Sequence, residues 1–123
     1  MNITTRTENN TLIAVIETAP KELVITDAQT ALDVAMTARY ELGASRIVFP
    51  KSAVCNDFFV LSTGLAGEIL QKFVNYQMKV AFWGDYSHYT SKPLKDFMGE
   101  SNRGHDVFFT ATEAEAVARL AGA

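Results

Sequence analysis

Two hydroxyls followed by glycine, Ser62-Thr63-Gly64, stand where the apolar run Leu65-Ala66-Gly67-Glu68-Ile69-Leu70 begins. The first N–H groups of a helix lack intrahelical partners and lie at the positive end of its dipole, so such an end can hold an anion. A kinase could also read the hydroxyls, which makes Thr63 and Ser62 candidate phosphorylation sites. The plain use is a helix cap, contributing about 1 kcal/mol, but a cap needs only one hydroxyl. Downstream, Glu68, Gln71, Lys72 and Asn75 recur at i, i+3, i+4 and i+7 as one polar face, opposite Leu65, Ile69, Leu70, Phe73 and Val74. Gly64 and Gly67 border that face. A glycine inside a helix costs about 1 kcal/mol relative to alanine, so Gly67 predicts close approach of a loop, ligand or partner. Gly64, Gly67, Glu68, Gln71, Lys72 and Asn75 are the candidate partner surface.

A second constellation consists of Lys51, Asp85 and Arg103, which with Ser62, Thr63 and Gly64 could bind an anion or small ligand. Asp85 follows an apolar run directly and is the best acid candidate, although no second carboxylate accompanies it at a catalytic spacing. Each of these residues, like Asp57, also suits an ordinary turn or surface ion pair. Tyr86-Ser87-His88-Tyr89-Thr90-Ser91 mixes rings with hydrogen-bonding groups and reads as a packed surface loop that could also bind. His88, His105 and Cys55 have no metal-ligand spacing, and neither G-x-G-x-x-G nor a Walker loop is present. No catalytic residue, metal or cofactor is expected. Phe82, Trp83, Phe108 and Phe109 fall within strand runs and are expected in the core.

The elements that would position these groups follow from periodicity and punctuation. Ile3 to Thr7 and Thr11 to Glu17 flank Glu8-Asn9-Asn10, predicting a hairpin. Thr26 with Gln29 has capping-box spacing ahead of a helix over about 28–42, which Gly43 stops. Arg46 to Phe49, Met78 to Trp83 and Asp106 to Thr110 read as buried parallel strands. Helices are predicted over 64–76 and about 92–100, with a stop at Asn102-Arg103-Gly104, and Thr112 with Glu115 caps a last one. The segment Lys51 to Leu61 is either a helical turn or a packed loop. These readings give an α/β domain over 1–123 with a mixed sheet and an N-terminal β-hairpin, in the order β-β-α-β-α-β-α-β-α. Ligand-binding groups in such sheets gather beyond the carboxyl ends of strands.

A chain of 123 residues fits one domain, and 48% hydrophobic with 20% charged residues excludes wholesale disorder. The net charge of -3 supplies no basic field, so neither nucleic acid nor a membrane surface is an expected partner. The single Cys55 permits no internal disulfide, and no charged, apolar, cleavable leader precedes Ile3. A cytoplasmic location is expected.

Asp57-Phe58-Phe59, the run Leu61 to Tyr76, Glu100-Ser101-Asn102-Arg103-Gly104 and Phe108-Phe109 resemble a bacterial family of small proteins known only as a domain of unknown function. The element order and Ser62-Thr63-Gly64-Leu65 more distantly resemble STAS domains, found in anti-sigma-factor antagonists and sulfate transporters. In the antagonists a motif of the type Asp-Ser-Ser/Thr-Gly-Leu-Gly is phosphorylated on its second hydroxyl residue, which matches Thr63, whereas Leu61 stands in the aspartate's place. The resemblance implies a STAS-like fold and a nonenzymatic regulatory or protein-interaction module, switched by phosphorylation at Ser62-Thr63. The alternative is a small-molecule or anion-binding enzyme of unnamed reaction at the strand ends. A homodimer through the hairpin edge or the Gly64/Gly67 face, or a heterologous protein partner on either, is compatible with the pattern.

Overall fold

The computed structural model describes residues Met1–Ala123. Strands β1 (Asn2–Glu8) and β2 (Thr11–Glu17) form the hairpin, turned by Asn9 and Asn10, both at positive φ (51° and 59°). Asparagine tolerates that left-handed backbone, which matches the twist of the flanking strands. Helix α1 (Ala28–Leu42) follows, then β3 (Arg46–Pro50), α2 (Leu65–Asn75), β4 (Lys79–Trp83), α3 (Lys92–Arg103), β5 (Val107–Thr110) and α4 (Glu113–Ala121). The sheet order is β1-β2-β3-β4-β5, with β1 antiparallel to β2 and all later pairs parallel. This is the mixed α/β architecture expected from the sequence. No helix is long and apolar enough to cross a membrane.

Sequential parallel strands joined by right-handed crossovers must place every connecting helix on one face. Helices α1, α2 and α3 accordingly cover one side, packing on Ile16, Ile47, Phe49, Val80, Phe82 and Phe109. Helix α4, after the last strand, covers Ile13, Val15, Val48, Ala81 and Phe108 on the other. Burial on both faces is why β3, β4 and β5 read as unbroken apolar runs rather than alternating ones.

Local signals are partly relocated. The N-cap of α1 is Asp27, not Thr26: its carboxylate accepts from Thr30 N at 2.8 Å, and the Thr30 hydroxyl accepts from Asp27 N in return. Gln29 instead bonds Asp33. Gly43 closes α1 in the left-handed conformation, and Thr112 caps α4 by accepting from Glu115 N, both as expected. Helix α3 continues to Arg103, three residues past the predicted end, because the Asn102 side chain is used within it: Asn102 accepts from Phe109 N (2.7 Å) and donates to Phe109 O (3.0 Å), covering the open edge of β5.

Candidate functional site

Between β3 and α2 the chain makes three 3₁₀ turns, Lys51–Ala53, Asn56–Phe59 and Leu61–Thr63. Val24 N and Ile25 N both donate to Ala53 O, and Cys55 N donates to Ile25 O, so the first turn is tied to the approach to α1. Phe58 anchors the second: its ring lies 5.2 Å from Phe82, which stacks between Phe49 (5.7 Å) and Phe109 (5.5 Å). Tyr86 and Tyr89, from the loop after β4, pack on Phe59 at 6.0 and 5.3 Å. The 86–91 loop is therefore held down, and Tyr86 further so by donating its hydroxyl to Phe82 O at 2.8 Å. Burial, with Tyr89 beside it, pushes the Tyr86 phenol well above its ordinary range.

At the carboxyl ends of β3 and β4 this packing leaves a cleft of ≈ 250 Å³ lined by Pro50, Lys51, Ser52, Trp83, Gly84, Asp85 and His88. Lys51 and Asp85 are thus brought together. The Lys51 ammonium lies 4.8 Å from the Tyr89 ring centroid, 5.8 Å from Phe59 and 6.0 Å from Tyr86, within cation–π range of all three. Its stem passes so near β4 that a Cβ on Gly84 would stand 2.6 Å from Lys51 Cβ, which is the physical reason for glycine there. Asp85 Oδ1 accepts from Ser87 N at 2.9 Å, and His88 Nδ1 is 3.9 Å from its carboxylate. Ser87, through its hydroxyl and then its backbone N–H, holds the Asp85 carboxyl below the usual range. Asp85 thus stands in the cleft as a carboxylate already accepting a hydrogen bond from the loop that follows it.

Trp83 has a second role, in the cleft, that its place in a strand run did not suggest. Alternation puts Pro50 and Trp83 on the α4 face, at the last position of each strand, so half-buried Trp83 packs on the edge of the α4-side core and lines the cleft as well. It also lines a neighbouring cleft of ≈ 220 Å³ with Glu17, Thr18, Ser52 and Glu113, and its buried Nε1 has no hydrogen-bond partner. The signal available in sequence was the period-2 alternation from buried Ala81.

Ser62, Thr63, Gly64 and Arg103 do not line this cleft. Arg103 ends α3, which runs back across the sheet, so it is exposed at the amino ends of the strands. Ser62 and Thr63 are exposed at the entry to α2. The N-cap of α2 is Gly64 (φ 75°, ψ -3°), a left-handed position that explains glycine there. The Thr63 hydroxyl instead ties the turn together, 2.8 Å from both Asp57 O and Val60 O, and accepts from Leu65 N at 3.2 Å. Along α2, Gly64, Gly67, Glu68, Gln71, Lys72 and Asn75 are all exposed, and Gln71 donates to Asn75. Val74, expected on the buried side, is 45% exposed. A Cβ at Gly67 would meet nothing within 4 Å, so no loop of this chain approaches it.

A family model described as Domain of unknown function (DUF4180) matches residues 9–120. No curated protein and no solved structure matches the chain.

Proposed function

The chain belongs to that family of unknown function, DUF4180, and we propose that it is a nonenzymatic protein-interaction module whose partner surface is the exposed face of α2, regulated by modification at Ser62-Thr63. The observation that carries this reading is Gly67, an exposed interior glycine with open space around it, on a helix flanked by exposed Val60, Val74 and Tyr76. Glycine there lowers helix stability with no packing gain inside the chain, and exposed apolar side chains at both ends of the helix suit a partner's contact. The likeness to STAS antagonists in element order and in Ser62-Thr63-Gly64-Leu65 supports the regulatory part.

A phosphate on Thr63 would replace the hydroxyl hydrogen that binds the Asp57 or Val60 carbonyl, so modification would loosen the turn while placing negative charge beside the start of α2. Ser62 is exposed and has no such structural bond, making it the alternative acceptor. Affinity capture with wild type, Gly67→Arg, Thr63→Ala and Thr63→Glu tests the reading. A partner held by wild type and Thr63→Ala but lost with Gly67→Arg and weakened with Thr63→Glu is the expected result; equal recovery by all four rejects it.

The meeting of Lys51 and Asp85 favours a second reading, a small-ligand or anion site in the strand-end cleft. Trp83 lines that cleft and is the only tryptophan in the chain. Titration with inorganic phosphate, followed by Trp83 fluorescence, should saturate in wild type and weaken in Lys51→Ala; no fluorescence change in wild type removes this version.

A further inference from the structure

The two edges of the sheet are unlike. At β5 the edge is four residues long and its Phe109 N–H and C=O are both occupied by the Asn102 side chain. At β1 the edge is seven residues, Asn-Ile-Thr-Thr-Arg-Thr-Glu, exposed throughout except for half-buried Ile3. It contains no proline or lysine, its register with β2 is unbroken by any bulge, and no other element pairs with it. Of the usual protections of an edge strand it has only the charged side chains Arg6 and Glu8, and neither a proline, a bulge nor a covering element.

The two-residue turn closes on Glu8 and Thr11 as a hydrogen-bonded pair, and pairs alternate along the hairpin from there. Arg6, Thr4 and Asn2 therefore also bond to β2, while the N–H and C=O groups of Ile3, Thr5 and Thr7 point away from it. These three outward residues are symmetric about Thr5. An antiparallel copy of β1 related by a two-fold axis at Thr5 would pair Thr5 with its own equivalent and Ile3 with Thr7, exchanging two bonds at each of three pairs. Every outward group would be satisfied.

From this self-complementarity we propose that β1 is a homodimer interface, joining two five-stranded sheets into one continuous sheet across a two-fold axis at Thr5. Cross-strand chemistry fits the same axis. Arg6 falls opposite Thr4 and Glu8 opposite Asn2, so no like charges are directly opposite, and the two Arg6 side chains, diagonal neighbours across the axis, are each drawn to Glu113 of their own chain. Threonine, with its high strand propensity, makes up the central pair and one member of each flanking Ile3–Thr7 pair. The interface is separate from the α2 surface and does not rest on its reading, so both can be engaged at once.

Sedimentation velocity on the full chain from about 10 μM to about 1 mM should show a reversible monomer–dimer equilibrium. Over the same series the amides of Ile3, Thr5 and Thr7 should gain at least about tenfold protection from hydrogen exchange, while those of Thr4 and Arg6 stay protected throughout. Thr5→Pro, which removes an outward N–H that the monomer leaves unpaired, and Thr5→Lys, which sets like charges at the axis, should both keep the wild-type circular dichroism and sediment as monomers. Gly67→Arg should dimerise like wild type. A wild type that is monomeric at every concentration overturns the proposal. So does a dimer in which the Ile3, Thr5 and Thr7 amides remain unprotected, a result that needs no variant to fold.

Discussion

Gly84→Ala tests the packing that builds the cleft. The added methyl would lie 2.6 Å from Lys51 Cβ and 3.2 Å from Lys51 Cδ, whereas carbon atoms prefer about 3.5–4.0 Å. Neither side can recoil freely. Gly84 N donates to Thr110 O, and the Lys51–Ala53 turn is held by the two bonds that Ala53 O accepts. Forced overlap of this kind costs about 1–3 kcal/mol, a Tm lowered by roughly 5–15 °C for a chain of this size. Urea unfolding followed by Trp83 fluorescence and by far-ultraviolet circular dichroism measures it at the site and globally. Because the nearest atom is Cβ, Lys51→Ala should leave most of the cost in place, whereas Lys51→Gly should remove the part due to the overlap and leave the backbone cost of an alanine at φ 159°, giving a coupling energy of about 1 kcal/mol or more in the double-mutant cycle. Gly67→Ala supplies the opposite sign: with open space around it, the methyl should stabilise α2 by about 0.5–1 kcal/mol. A Gly84→Ala protein as stable as wild type, or one rescued equally by Lys51→Ala, would refute the reasoning.

Asn102→Ala removes both bonds to Phe109 and should destabilise the chain by about 1–3 kcal/mol, with faster hydrogen exchange at the Phe109 amide. Asp27→Ala should cost about 1 kcal/mol through loss of the α1 cap, whereas Thr26→Ala should cost much less, measured by thermal unfolding. Tyr86 keeps its proton in the folded chain above its ordinary value of 10.0, where the unfolded chain loses it. Its contribution is therefore unchanged below that pH and falls above it, with a limiting slope of about 1.4 kcal/mol per pH unit that Tyr86→Phe abolishes. The difference between the two proteins' urea midpoints from pH 9 to 11.5 checks this.

What the sequence determined by itself is local. The hairpin at Asn9-Asn10, the stop at Gly43, the Thr112–Glu115 cap and the order of strands and helices are written in neighbours three or four residues apart, or in short apolar runs, and these interactions form wherever the segment lies. Even the relocated cap of α1 is a local contest. Thr26 and Asp27 can both accept, and the outcome turned on Thr30 returning a bond to Asp27 while Gln29 engaged Asp33. The polar stripe from Glu68 to Asn75 was legible for the same reason.

Only tertiary structure decided which distant groups meet. Lys51 and Asp85 share a cleft because two strands end side by side, but Arg103 is carried to the opposite end by the antiparallel return of α3. The 51–63 segment forms three turns because Phe58 docks on an aromatic row contributed by β3, β4 and β5, which no local pattern could reveal. Gly84 and Gly67 look alike in sequence and differ entirely in space, one against Lys51 and the other in the open. Trp83 reads as core, and it does pack on the α4-side cluster, but its position at the strand end also places it in the cleft. In each case the deciding quantity is a distance between residues far apart along the chain, set by the packing of the whole sheet and absent from any window of the sequence.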